Sequence, residues 1–458
     1  MSTSVTTRST PAANVAAKYS HVRQTTVDLC SDLTAEDQMV QSMPDASPTK
    51  WHLAHTAWFF ETFLLKPYLA GYRLFHDNFT YLFNSYYKQV GSHPNRSFRG
   101  LFSRPSLNEV HAYRDYVDRH MARLIETAGD DVLKLIVLGL NHEQQHQELI
   151  VTDIKHALWS NPLKPAWKHN PPFPETTVPA LSWHDFKEGL YSIGYEQGAP
   201  FKPSFGLSGQ VDDFCFDNES PRHQVFLNRF SLASRLITNG EYLDFMRDGG
   251  YSRPELWLSD GWDRINTEHW TAPFYWEERD GQWHVFTVNG VQPVVMSEPV
   301  CHVSYYEADA FARWLGARLP LESEWEVAAR SIVETGARSF VEDIGPVTGN
   351  FLESGQLHPG PIGTDHRLTS SSDSQVTRYS DNQLFGSVWQ WTSSSYTPYP
   401  GFSPATGALG EYNGKFMCNQ MVLRGGSCAT PQSHIRATYR NFFPTHVRWQ
   451  FMGIRLAR

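Results

Sequence analysis

Asn141-His142-Glu143-Gln144-Gln145-His146-Gln147-Glu148-Leu149 is a polar block set inside an otherwise apolar stretch running from Val132 to Trp159. The flanking apolar residues recur at helical spacing, which places the block on a helix. His142 and His146 are one turn apart and leave that helix from one face, the spacing of two neighbouring ligands on one metal. Leu149 and Asp153 continue along roughly the same face. Two readings stand at this point. One is a pair of hydrogen-bonded helix histidines. The other is a metal centre, which gains because polar groups in a core need partners. The block also matches the HExxH pattern, which would make Glu143 the base of a zinc metallopeptidase. That reading needs a third ligand downstream, and the nearest downstream carboxylates lie on the same helix or in a proline-rich stretch.

A third imidazole comes from upstream, in Trp51-His52-Leu53-Ala54-His55-Thr56-Ala57-Trp58-Phe59. Ala54 and Ala57 beside His55 let a second helix approach closely, so a bundle can set His55 opposite His142 and His146. His52 competes for the same role. Three neutral imidazoles leave three octahedral positions open, which suits Fe(II) taking O2 and a substrate sulfur together. The helix carrying His55 opens at Ser47-Pro48, with Ser47 as N-cap and Pro48 in first position, runs through Leu65 and ends at Pro67. Val110, Tyr113, Val117, Met121 and Leu124 mark a further helix over 110–126, and Gly129-Asp130-Asp131 separates it from the one bearing the polar block. Short connections between such helices make a bundle. Between the two histidine segments lies Asn84-Ser85-Tyr86-Tyr87. A phenol beside a metal can hand over a proton; ordinary aromatic packing is the alternative. Arg96, Arg99 and Arg104 follow in a Gly/Pro/Ser segment, either as a clamp for a carboxylate or as solvated charges.

The character of the chain changes near Asn161. Pro162, Pro165, Pro171, Pro172, Pro174 and Pro179 make an extended linker. Beyond it come short apolar runs between turn residues, with helices expected at Asn239–Arg247, Tyr305–Leu315 and Glu322–Ser331. Thr369–Ser374 reads as a polar loop. The expected fold class is α+β in two domains: a flexible tail over 1–18, a helical bundle over 19–160, the linker over 161–186, and an irregular α+β domain over 187–458. A chain of 458 residues is consistent with that division. Only 19% of residues are charged, which excludes wholesale disorder. The net charge of -9, with no basic run, argues against nucleic acid as a partner. Leu133–Leu140, the longest apolar stretch, is too short to span a membrane. Residues 1–18 lack the apolar core of a leader peptide. The five cysteines contain no CxxC pair, so a disulfide framework is not expected and a cytoplasmic location is.

Taken together, SPTKWHLAH (47–55), YLFNSYYKQVG (81–91), RPS (104–106) and NHEQQHQEL (141–149) resemble the DinB-like N-terminal bundle of the sulfoxide synthases of ergothioneine biosynthesis, the EgtB family. The second half is similar to formylglycine-generating enzymes, a C-type-lectin-like fold, through Glu188–Gly194, Pro299–Ser304, Arg318–Glu326, Phe385–Thr392 and Leu423–Ser427. The resemblance implies a reaction joining hercynine (trimethylhistidine) to a sulfur donor with O2. It implies His55, His142 and His146 as iron ligands, and Tyr87, with Tyr86, as catalytic acid. Gln145 would contact the hercynine imidazole. Arg440, Asn441, Phe442 and Phe443 would roof the site, with Asn441 on the hercynine carboxylate and Phe442 facing the trimethylammonium group. Arg96 and Arg99 would hold the donor carboxylate. Phe443 stands where relatives specialised for γ-glutamylcysteine carry an acid, which favours cysteine. Two departures matter. Ser387 and Gln390 replace oxygen-rich Asn and Glu, so a structural calcium is not expected there. Cys428 stands alone after Arg424-Gly425-Gly426-Ser427, which argues against copper–thiolate chemistry. Neighbouring readings are an ovothiol-type synthase, whose family often adds a methyltransferase domain that this sequence does not show, a selenoneine synthase, and a non-catalytic binding module.

Overall fold

The computed structural model describes residues 10–174, 176–196, 214–334, 337–340, 347–363, 377–378, 383–411 and 413–458. The loop read at Thr369–Ser374 lies outside them. The chain divides into two units, one built on residues up to Ile154 and one on residues from Lys155 onward.

The first unit is helical. Helices α1 (Pro11–Leu29), α2 (Thr49–Phe60), α5 (Leu107–Thr127) and α6 (Asp130–Ser160) form it, with two short helices, α3 (Lys66–Tyr68) and α4 (Phe79–Leu82). Helix α5 starts at a capping box between Ser106 and Glu109. Its stripe of Val110, Tyr113, Val117, Met121 and Leu124 is buried as the spacing predicts. Helix α2 differs in kind, because all of its residues are buried. A helix enclosed on every side must satisfy each polar group it carries, and α2 carries His52, His55 and Thr56.

Three expectations need correction here. The tail ends sooner than residue 18: Thr10 caps α1 through the Ala13 amide, and Val15, Tyr19 and Val22 bury one face of that helix. Ser/Thr/Ala-rich composition concealed this stripe. Ser47 is not the cap of α2, where Pro48 takes the N-cap position. The polar groups of Ser47 are engaged elsewhere, its amide donating to Asp153 Oδ2 (2.8 Å) and its hydroxyl accepting from Arg99 Nη1 (2.9 Å). Nor does Pro67 stop the helix, since a π-turn over Glu61–Leu65 precedes it and α3 runs on to Tyr68. The wider turn shifts the hydrogen-bond ladder just where proline lacks a donor.

The second unit consists of small sheets and short helices. Strands β1 (Trp183–Phe186) and β4 (Phe230–Ala233) pair, as do β2 (Gly189–Ile193) and β3 (His223–Leu227). A meander follows in β5 (Trp276–Arg279), β6 (Gln282–Thr287) and β7 (Gly290–Pro293). Strands β8 (Ser331–Glu334), β9 (Ala337–Phe340) and β10 (Thr377–Arg378) form a fourth group. The widest described sheet has the order β13 (Asn441–Phe443), β12 (Met421–Arg424), β11 (Trp389–Ser395), β14 (Met452–Gly453). The helices are α7 (Asn239–Arg247), α8 (Ser259–Glu268), α9 (Tyr305–Trp314) and α10 (Glu322–Ala329). Three were expected, and α7 and α9 each open on a capping box, Thr238 with Glu241 and Ser304 with Glu307. The linker is shorter than proposed, because Trp183–Phe186 is strand and the backbone amides of Trp167 and Lys168 both donate to Val288 O.

Gly425 shows why the Arg424-Gly425-Gly426-Ser427 turn needs glycine: its φ is +102°, and a Cβ there would stand 2.6 Å from Leu384 O. Gln390 ties β11 to its surroundings. Its carbonyl accepts from Trp325 Nε1 (2.9 Å) and Arg455 Nε (2.8 Å), and its amide donates to Leu384 O (2.7 Å). The last turn of α6 belongs to this unit. There Lys155 Nζ donates to His302 Nε2 (2.7 Å) and lies 4.5 Å from the Tyr275 ring centre and 4.9 Å from that of Phe451.

Candidate metal centre

Helix α2 contributes His55 and α6 contributes His142 and His146. The three are buried, and one ligand atom from each lies within 4.8 Å of the others. His142 Nε2 and His146 Nε2 are 3.2 Å apart. Two nitrogens each about 2.1 Å from one metal, at about 90° to each other, stand about 3.0 Å apart, so this pair fits a shared ion. His55 Nδ1 lies 2.6 Å from Phe83 O. A carbonyl only accepts, so Nδ1 carries the proton and Nε2 is left as ligand. Burial, then the neighbouring His142, holds His55 well below the ordinary imidazole range. Burial brings His142 down to about 3 against the pull of Glu143. Burial, then His142 and His55, depresses His146 as well. All three are therefore neutral near pH 7, the form that binds metal.

At about 100° per residue, Gln145 and Leu149 flank the His142/His146 face. They are the two half-exposed positions between Asn141 and Ile150, so the ligand face borders the accessible side of α6. Aromatic rings brace the centre. Trp51, His55 and Trp58 occupy one stripe of α2, and the His55 ring is stacked 4.5 Å from Trp51 and 5.3 Å from Trp58. Phe59 packs 4.5 Å from His142. Tyr87 is fully buried, with its ring 5.7 Å from Trp58 and 5.1 Å from Phe63. Tyr86 stacks on Tyr87 at 4.6 Å and is half-buried. Of the two tyrosines, Tyr87 is the one packed against the rings that line the histidines.

Arg99 and Arg96, paired in the sequence reading, part company. Arg96 is exposed and bonds the Asp45 carbonyl. Arg99 is buried, with its guanidinium 3.4 Å from the Trp51 ring centre and its Nη1 donating to Ser47 Oγ. Among the described residues it meets no carboxylate. Burial, then Arg96, lowers its pKa to about 9, so it stays cationic near neutrality.

His52 does not join the ligand group. It sits behind His146, with Nδ1 2.8 Å from His146 Nδ1 and Nε2 3.0 Å from Asp153 Oδ2. Glu143 also leaves the centre. It is fully buried between Arg23 (2.8 Å) and Arg114 (2.9 Å). Burial alone would raise its pKa, but the two guanidinium groups outweigh burial and lower it. Arg114 also donates to Leu53 O and Thr56 Oγ1, and Arg23 to Asp118. This network fastens α1, α2, α5 and α6 together and engages both oxygens of Glu143, the base that the peptidase reading needs.

Arg440 needs a further correction. Its guanidinium is buried and donates to both Glu322 oxygens (2.9 and 3.1 Å), Asn218 O and Thr397 O. Those partners brace the start of β13. On that strand Asn441, Phe442 and Phe443 are half-buried, and Phe442 stacks on Tyr396 at 4.0 Å. Sequence reasoning missed the roles of Trp51, Ser47 and Asp153. The offsets from His55 to Trp51 and Trp58, four and three residues, were the available signal for the ring stack.

Residues 196–458 match the family model of the sulfatase-modifying factor enzyme 1-like domain. The hercynine oxygenase of Mycobacterium tuberculosis is 35% identical over 256 residues, which is 55% of this chain and 58% of that protein. The hercynine oxygenase of Mycolicibacterium smegmatis is 30% identical over 334 residues, 72% of each chain. Ergothioneine biosynthesis protein 1 of Schizosaccharomyces pombe is 30% identical over 249 residues, 54% of this chain and 28% of that protein. The match to the Mycobacterium tuberculosis protein thus spans a little over half of its length.

Fold and centre together define a class: a helical unit with three converging imidazoles, in one chain with a sulfatase-modifying-factor-type α+β domain. Within that class the chain belongs to the hercynine oxygenase (EgtB) family. Among the described residues, no helix is long and apolar enough to cross a membrane.

Proposed function

We propose that this chain is an iron(II)- and O2-dependent sulfoxide synthase of ergothioneine biosynthesis. It joins hercynine to cysteine, with γ-glutamylcysteine as the less favoured donor. One C–H and one S–H bond are exchanged for a C–S bond and an S–O bond, and the second oxygen atom leaves as water. The observation that carries the reading is the buried set of His55, His142 and His146, with ligand atoms within 4.8 Å. Three neutral nitrogens leave room for two substrates and O2 on an octahedral ion. The metal, when bound, couples reduction of O2 to oxidation of the two substrates.

The protein's own residues divide the remaining tasks. Arg99 binds the carboxylate of the thiol donor, a role its lack of a protein carboxylate supports. Gln145, half-exposed beside the ligand face, orients the hercynine imidazole. Tyr87 holds a proton at its phenol oxygen for the oxygen being reduced, and the apolar rings around it keep bulk water away. In the sequence, Phe443 in place of an acid favours cysteine as the donor.

Anaerobic loading with Fe(II), then addition of O2, hercynine and cysteine, tests this by mass spectrometry, with γ-glutamylcysteine and a selenosugar in parallel. A hercynine–cysteine sulfoxide is expected. Cysteine sulfinic acid alone would keep the iron site and reject hercynine as partner. Tyr87→Phe should lower the sulfoxide yield and let sulfinic acid accumulate; an unchanged sulfoxide rate would rule out the role given to Tyr87.

A further inference from the structure

We propose that His52 and Asp153 form a relay behind His146 that fixes it as an Nε2 ligand and strengthens it as a donor to the metal. The inference rests on the three-histidine centre but not on the identity of the substrates. Asp153 Oδ2 accepts the Ser47 amide (2.8 Å) and faces His52 Nε2 at 3.0 Å. An ionised carboxylate cannot donate, so the proton of that contact sits on His52 Nε2. With the ring neutral, His52 Nδ1 is then a lone pair. It lies 2.8 Å from His146 Nδ1, a distance that requires a proton between the two nitrogens, and His146 must supply it. His146 is left with its lone pair on Nε2, the atom 3.2 Å from His142 Nε2. The opposite assignment would set a ring lone pair against a carboxylate oxygen in a buried site, which is costly.

The three ligands are consequently unequal. His55 is oriented by a neutral acceptor, the Phe83 carbonyl. His146 is oriented by an imidazole that is itself polarised by a carboxylate, so more negative charge reaches its Nε2. Partners of this kind typically change metal affinity by 10–100-fold when removed. The chain of contacts also continues through Ser47, whose hydroxyl accepts from Arg99. The residue assigned to the donor carboxylate and the backing of a metal ligand thus share one serine.

Anaerobic titration of the metal-free full-length chain with Co(II) tests the relay, read by the ligand-field absorption bands and by affinity, with thermal melting of each metal-free variant. His52→Phe keeps the ring shape and removes the acceptor. It should weaken Co(II) binding 10–100-fold, with a metal-free melting temperature near that of the parent. Asp153→Asn keeps an oxygen for Ser47 and His52 but removes the charge, and it should weaken binding by a smaller factor and shift the absorption bands. Affinity within twofold of the parent in His52→Phe would overturn the proposal. If His52→Phe does not fold, unchanged affinity and bands in Asp153→Asn would overturn it. Failure of the parent chain to bind one Co(II) would instead remove the metal centre on which the relay depends.

Discussion

The two units share one way of burying charge, and the helical unit departs from it at the histidines. In the second unit four buried guanidinium groups are paired with carboxylates, while Arg455 donates to the Gln390 side chain and to the Ala233 and Gln383 carbonyls. Arg424 and Arg440 share Glu322, Arg436 meets Glu219, and Arg448 meets Glu307. In the helical unit Glu143 belongs to a closed network of the same kind, with Arg23 and Arg114. Elsewhere in the same unit the arrangement is different: three imidazoles converge on each other, and among the described residues Arg99 rests on an indole and a serine and bonds no carboxylate. Burying charge is expensive unless it is paired. On the proposed function, a metal and an anionic substrate complete this site.

The largest test of that contrast is His142→Ala. Loss of one of three ligands should abolish stoichiometric binding of Fe(II) or Co(II), with affinity falling on the order of a thousandfold. The metal-free melting temperature should change by only a few degrees. Glu143→Gln should do the reverse. Breaking a buried pair typically costs about 3–5 kcal/mol of stability, measurable by denaturant unfolding, while Co(II) affinity stays within a few-fold. Lost metal binding without lost stability would break the distinction between the Glu143 network and the histidine centre.

Lys155 gives a third test, through pH. Burial lowers its pKa from 10.5 to about 8. Below pH 8 the folded and unfolded chains both hold the proton, and the fold bears the cost of a buried ammonium. Between pH 8 and 10.5 the folded chain releases the proton first, so stability rises with pH over that window. Relative to Lys155→Met, the parent chain should gain about 3 kcal/mol across it. The smallest effect is expected from Arg99→Met: about a tenfold rise in KM for the thiol, with kcat and metal affinity little changed. An equal loss in kcat would move Arg99 from binding to chemistry.

What was legible in the sequence follows the range of the forces involved. The stripe of α5 and the His142/His146 spacing are local and periodic, and both survive into the structure. On its own helix His55 could not be told from His52 by spacing, and the family resemblance made the choice; the structure groups His55 with His142 and His146. The role of Glu143 was not legible because the pattern around it is local, whereas its partners Arg23 and Arg114 lie 120 and 29 residues away. Burial by distant chain likewise turned Arg440 into a brace for β13. Helix α8 went unseen because Gly261 weakens its pattern; the glycine is there for close approach, since a Cβ would stand 2.8 Å from the Tyr306 side chain. The partners of Ser47, His52 and Asp153 came from the packing of α2 against α6, which no spacing within either segment encodes.

The rings around His55 carry one more consequence. Trp51 and Trp58 lie within 5.3 Å of a metal ligand, and an excited indole at that range loses its energy readily to an ion with a partly filled d shell. The chain thus holds its own optical gauge of loading: ultraviolet emission should dim as Fe(II) or Co(II) enters, and dim far less with Zn(II), whose d shell is full. Occupancy, metal identity and the rate of release can then be followed in real time without substrate or label.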